Sequence, residues 1–419
     1  MAKKVSTFRN ILHTAESQIK LEAIKSGFNT RRTQWCNFAQ GQPEVSQFQG
    51  APSRLSWITL ETHDHEASPV AGSDELRDVI AEYYNRLYRE DAPTKYRKEN
   101  VSVVPGSRVA LSRILTALGE IRIGHRNPES PLYQHLLDEH RSRVTPVPLH
   151  ADPSKGFSVE LKELEKHIAG KKCSAFLMSN PCNPTGQIFS GQELKKLVAI
   201  SRKNRCTMIM DEVYSHYVFG LEGEDARNPL SIAPFIKNVE RDPILIVDGL
   251  GKGWRYPGWQ LSWILGPPKV IETINQVAQF LDGGASVPAQ RLAIKALETE
   301  RSDQERMKGI EVFAQKRSIV TKKLESLGMK CAEEPCGTFY VWADISCLPK
   351  GLNNADKFFR RGLEDKLISM PGRYFNLCPG DKNPASKQLK NWVRFSFAPS
   401  ITNLEMGVEK LAEMVESES

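Results

Sequence analysis

The residues best equipped for chemistry in this chain stand just after apolar runs. Lys252 follows "PILIV" in the stretch "VDGLGKGWRYPGWQLSW", between Gly251 and Gly253. A lysine held in a crowded pocket at a strand end has its pKa lowered by burial or by a neighbouring cation. It is then a usable nucleophile toward an aldehyde. Taken alone, "GKG" reads more simply as a surface turn. Asp211 follows "CTMIM" directly. A carboxylate at the end of a buried strand is costly unless paired, either with an Arg or Lys or with a protonated ring nitrogen. Tyr214, three residues on, can face the same space. Asn183 lies in "SNPCNPTG", after "SAFLM". The repeated Asn-Pro holds this loop in an extended turn. From it the amide can donate to a ligand oxygen or bond only its own backbone. Gly106 and Ser107, in "PGSRVAL" after "VSVV", open onto a helix whose free N–H groups and positive dipole end suit a phosphate. A Gly-Ser pair is also a common plain helix start.

These loops need a scaffold, and the pattern between them supplies one. "DELRDVIAEYYNRLYRE" has apolar residues at helical spacing, with Ser73 as N-cap and Asp74 and Glu75 in the first turn. "RVALSRILTALGEI" and "GQELKKLVAISRKNR" also read as helices. Short apolar strands alternating with helices predict an α/β fold with a mostly parallel, helix-covered sheet. Ligands of such sheets sit beyond the carboxyl ends of the strands, where the four loops above lie. A long helical stretch runs from "PAQRLAIKAL" to "KKLESLG". After it, "TFYVWADI" and "NWVRFSFA" suggest a smaller α/β lobe, with the boundary near residue 315 inside a helix. The domains expected are an N-terminal segment over 1–69, a large domain over 70–315 and a small one over 316–419.

Composition narrows the class. The chain has 419 residues, 40% hydrophobic and 26% charged, with a net charge of +7, which is ordinary for a globular protein of about two domains. The basic residues form only short pairs, without the concentrated face of a nucleic-acid binder. The eight cysteines show no CxxC pair or zinc spacing, so reduced thiols in a cytoplasmic protein are expected and no metal site. The N-terminal "MAKKVSTFRNILHTAESQIKLEAIKSG" reads as an amphipathic helix rather than a signal peptide, and no apolar run approaches a membrane span.

The order "PGSR", "NPTG", "DEVY", strand-end lysine and "VRFSFA" resembles the fold-type-I pyridoxal-phosphate enzymes of the aspartate aminotransferase superfamily, the class I/II aminotransferases. The likeness runs from "FAQGQPEV" to "RFSFAPS". It implies a large domain with a seven-stranded sheet, a smaller C-terminal domain and a homodimer with shared active sites. It implies pyridoxal 5′-phosphate as cofactor, an amino acid and a 2-oxo acid as partners, and Cα deprotonation of an external aldimine. Lys252 would form the Schiff base and move the proton. Asp211 would keep the ring nitrogen protonated, making the ring an electron sink. Asn183 and Tyr214 would hydrogen-bond the phenolic oxygen, and Tyr133 in "SPLYQH" would stack on the ring. Gly106, Ser107 and Arg108 would cradle the phosphate. Arg394 would clamp the substrate carboxylate with a bidentate fork, with Gly41 and Asn183 also lining the substrate site.

The chain departs from this pattern around its lysine. The family usually has serines flanking the lysine, where Gly249 and Gly251 stand here, and an arginine eight residues on, where Gln260 stands. A partner tyrosine before "P-x-x-G" is matched by Ala67. Arg255 is the first expected substitute for the phosphate cation, and the partner-facing His63 or His65 the second. "RRTQW" at 31–35 and "THDHE" at 62–66 are read as surface, with lining of the substrate pocket as the other reading. Transamination is the expected reaction. A specialised elimination, replacement, cyclisation or oxidation is the second expectation, and a catalytically silent binding protein the third.

Overall fold

The apolar runs that lead into the chemically equipped loops are strands of a single sheet. The computed structural model describes residues 13–29, 34–223, 228–331, 336–380 and 382–418. Seven strands, β1 (Val101–Val104), β2 (Ile121–Asn127), β3 (Val144–His150), β4 (Ala175–Ser179), β5 (Thr207–Asp211), β6 (Ile244–Gly249) and β7 (Ser262–Leu265), lie in the order β1-β7-β6-β5-β4-β2-β3. Only β7 runs against its neighbours. Strands β2 and β3 were not read from the sequence. Polar residues such as Arg122, His125 and Arg126 in one, and Pro146 and Pro148 in the other, break their apolar runs.

Alternate residues of the central strands point to opposite faces. Phe176, Met178, Met208, Met210, Ile244 and Ile246 enter one core cluster. Leu177, Ile209, Leu245 and Val247 enter another. Helix α1 (Ala15–Lys25) and helix α2 (Asp74–Tyr88) add residues to the first cluster, whereas helix α3 (Ser107–Ala117) and helix α4 (Pro131–Glu139) add residues to the second. The Ser73 side chain accepts from Leu76 N and caps α2 as its sequence predicts.

The helical stretch after residue 286 divides into Val287–Ala296 and a longer helix, α5 (Thr299–Ser326), within which residue 315 lies. Beyond it an antiparallel four-stranded sheet contains Tyr340–Asp344 paired with Trp392–Ser396, in which Trp342 lies opposite Arg394. Cys36–Asn37 from the N-terminal segment pairs with Leu367–Ile368, so the chain start packs onto the C-terminal lobe. Residues 1–12 of the expected N-terminal helix lie outside the described residues.

Candidate active site

Sheet register brings the site together. Ser179 of β4 lies opposite Asp211 of β5, and Asp211 lies opposite Val247 of β6. At the same edge, Gly249 lies opposite Ser262, and Ser262 opposite Val104. The loops carrying Asn183, Tyr214, Lys252 and Ser107 therefore leave one end of one sheet. A cavity of about 880 Å³ opens there, lined among others by Gly41, Gly106, Ser107, Gly249, Lys252, Gln260 and Ser262.

Lys252 reaches across this cavity to the N-terminal segment, donating to the Gly41 carbonyl. Its Nζ lies 5.6 Å from the ring centres of both Tyr214 and Phe339. Burial pulls its pKa down to about 8, and Arg394 and Arg108 push the same way against the carboxylate of Glu16. A substantial neutral fraction is therefore available near neutral pH, which a nucleophilic amine requires. The Tyr217 hydroxyl donates to the Lys252 carbonyl at 2.8 Å and fixes the turn.

Asp211 is buried, and its pKa is raised to about 6 by loss of solvent. The Tyr133 hydroxyl donates to its Oδ2 at 2.8 Å and opposes that rise. Tyr133 sits fully buried on α4. Its hydroxyl bond orients the carboxylate. Tyr214 shares a 3.0 Å hydrogen bond with the Tyr340 hydroxyl.

Arg394 donates to Asn183 Oδ1 at 3.0 Å and to the Ala39 carbonyl at 3.3 Å, with its guanidinium 3.8 Å from the Tyr340 ring centre. It is 1% exposed, and its Nε has no hydrogen-bond partner. A buried cation with an unused donor suits an incoming carboxylate. Asn183 thus meets Arg394 directly, and its own N–H donates to Ser179 Oγ at 3.1 Å.

The remaining expectations divide. Ser107 begins α3 behind Gly106, which holds φ 93°. A Cβ at Gly106 would lie 2.9 Å from Gln260 Oε1, so Gln260 does border the cup. Its Nε2 is given to the Pro257 carbonyl at 2.7 Å. Arg108 is largely exposed and faces Glu16 of α1 at 3.6 Å. Arg255 is not among the residues that line the cavity. Its Nε pairs with Glu305 at 2.7 Å, and its Nη1 donates to the carbonyls of Glu44 and Ser46. It tethers the N-terminal segment to α5, because "WRYPG" turns its side chain away from Lys252. His63 and His65 lie exposed on a short 3-10 turn with Asp64, which pairs with Arg291. Of "RRTQW", Trp35 lines the cavity, whereas residues 31–33 lie outside the described set.

Sequence reading missed Tyr340, Glu16 and Ser262. Tyr340 alternates with the apolar residues of "TFYVWADI" and looked like core. Glu16 was one acid in an amphipathic helix, and Ser262 one polar residue inside a strand. None carried a motif.

A profile for aminotransferase class I and II matches residues 33–411. An aspartate aminotransferase of Sulfurisphaera tokodaii is 28% identical over 394 residues, covering 91% of this chain and 90% of that protein. A (5-formylfuran-3-yl)methyl phosphate transaminase of Methanocaldococcus jannaschii is 27% identical, covering 81% of each. The structure of Thermus thermophilus aspartate aminotransferase with maleate superposes with a TM-score of 0.76 at 21% identity, over 97% of this chain and 100% of that one. A lysine and a carboxylate at one edge of the large sheet, a guanidinium brought to them from the small lobe, and a family match over most of the chain have a single reading: the chain belongs to the class I and II aminotransferases, fold-type-I enzymes that use pyridoxal phosphate to act on amino acids.

Proposed function

We propose that this chain binds pyridoxal 5′-phosphate at Lys252 and exchanges an amino group between an amino acid and a 2-oxo acid. The observation that carries the reading is the half-buried Lys252 amine on the cavity wall, with its pKa pulled down to about 8 and with Arg394 and Asp211 close enough to act on it electrostatically. The residues present fit the cofactor. Asp211 is a buried carboxylate whose only side-chain partner among the described residues is a neutral phenol, and a protonated ring nitrogen would supply the missing cation. When bound, the cofactor supplies the electron sink for a carbanion at the substrate Cα.

The chain's own residues do the rest. Arg394 holds the substrate carboxylate and so fixes which bond of Cα faces the reacting groups. Lys252 takes the Cα proton as a general base with its pKa tuned near neutrality. With the cofactor bound, Tyr214 and Asn183 would be the residues to donate to its ring oxygen. Family membership favours amino transfer over elimination, cyclisation or a silent binding role. The relatives' names span aspartate and a furan phosphate at similar identity, so likeness alone does not choose the amino acid.

Assembly as a homodimer is part of the proposal, supported by the exposed Trp57 and Phe280, 79% and 75% accessible. A cytoplasmic setting is supported by buried thiols such as Cys36 and Cys206. No described helix is long and apolar enough to cross a membrane. The test is a panel of amino acids added to the purified yellow protein. Conversion to the pyridoxamine form with release of the matching 2-oxo acid supports the proposal; ammonia release without that form refutes it.

A further inference from the structure

Gly249 and Ser262 face each other at the last rung of the β6–β7 ladder. A Cβ built on Gly249 would lie 2.1 Å from Ser262 Oγ, 2.6 Å from its Cα and 2.7 Å from the Leu261 carbonyl oxygen. No side chain fits at 249, because the backbone of β7 itself comes this close, and the Ser262 hydroxyl occupies the remaining space.

Ser262 is 5% exposed. Among the described residues its hydroxyl has no hydrogen-bond partner. The hydroxyl faces the cavity together with Gly106, Ser107, Gln260 and Lys252, so it is free to donate to a ligand there. Nearby polar groups are engaged elsewhere. The Gln260 amide nitrogen serves Pro257, Arg108 faces Glu16, and Arg255, which does not line the cavity, gives its Nε to Glu305 and its Nη1 to the carbonyls of Glu44 and Ser46, leaving only Nη2 unpaired. The cup at the start of α3 thus has two hydroxyls available, those of Ser107 and Ser262.

We propose that Ser262 donates its hydroxyl to the cofactor phosphate, supplying from β7 the contact that a serine at position 249 would otherwise make from β6. The proposal rests on the reading of the site as a pyridoxal-phosphate site. It explains why glycine at 249 does not leave the cup without a donor, and it makes Gly249 and Ser262 one unit.

The test separates phosphate contact from general support of the site. Full-length wild-type protein and Ser262→Ala are freed of cofactor, then titrated with pyridoxal 5′-phosphate and with pyridoxal, which lacks the phosphate. Binding is read from the absorbance of the lysine-linked cofactor. Loss of a hydrogen bond to a charged group predicts about ten- to hundredfold weaker binding of pyridoxal phosphate. Pyridoxal binding should stay within about twofold of wild type, since that ligand carries no phosphate for Ser262 to hold. Equal weakening of both ligands, or no weakening of the phosphate form, overturns the inference. If S262A does not fold, Ser262→Cys keeps the volume with a poor donor and is judged by the same difference. Wild-type protein that forms no lysine-linked absorbance with either ligand overturns the functional reading and this inference together.

Discussion

Tyr133 donates its hydroxyl to Oδ2 of Asp211 at 2.8 Å. The bond spans 78 residues and joins α4 to the end of β5. It is the largest single effect opposing burial of this carboxyl, ahead of the Val213 backbone N–H, and with it in place burial still raises the pKa to about 6. Asp211 is therefore an anion at neutral pH partly because a phenol holds it so.

Replacing Tyr133 by Phe removes that bond and moves the Asp211 pKa further up. A folded-state pKa above the unfolded value favours the protonated carboxyl, so this group's contribution to cofactor-free stability is full below about pH 4 and is lost as pH rises through about 6. Holding a protonated ring nitrogen needs the anion. Cofactor affinity should therefore weaken below about pH 6 in wild type and begin to weaken at a higher pH in Y133F. Titrations of cofactor binding across pH 5–8 check this.

Lys252 titrates in the opposite sense. Its folded pKa, about 8, lies below the ordinary lysine value of 10.5. Its burial therefore costs stability at pH below about 8, and that cost fades as pH rises toward 10.5. Capture of the cofactor by a stopped-flow mixing experiment should accelerate with pH and level off above about 8. Lys252→Arg, which cannot deprotonate, should lose turnover by about 10²–10⁴-fold or more.

Arg394→Lys tests the carboxylate clamp. Lysine keeps the charge but loses the planar fork and the stack on Tyr340. Steady-state kinetics should show kcat/KM reduced by about 2–5 kcal/mol for every amino acid the enzyme accepts, with cofactor absorbance unchanged.

Arg255→Ala distinguishes tether from phosphate ligand. Glu305 is 3% exposed and pairs with both Arg255 and Arg54. Removing one partner of a buried pair costs about 3–5 kcal/mol, softened here by Arg54. Denaturant unfolding should show that loss, while the ratio of pyridoxal phosphate to pyridoxal affinity stays at the wild-type value.

Much of this arrangement was written in the chain. β4, β5 and β6 are buried at nearly every residue, so their apolar runs and the loops after them were plain. The same order of loops carried the resemblance, which named Lys252, Asp211 and Arg394. β2 was obscured because His125, Arg126 and Asn127 are buried polar residues with specific partners, which alternation does not reveal, and β3 because Pro146 and Pro148 interrupt it. Spacing along the chain does not fix direction: Arg255, three residues after Lys252, takes φ 60° and pairs its Nε with Glu305. Ser262 was invisible for a related reason, since its importance arises from a rung across the sheet rather than from its neighbours in sequence.

The most direct test of the central claim is a single half-reaction. The yellow protein is mixed with an amino acid it accepts, without any 2-oxo acid, and the products are counted. The account predicts one 2-oxo acid per Lys252, full conversion of the cofactor to its amine form, and return of the yellow form when a 2-oxo acid is added. Continuous release of ammonia, with the cofactor remaining yellow, would contradict it.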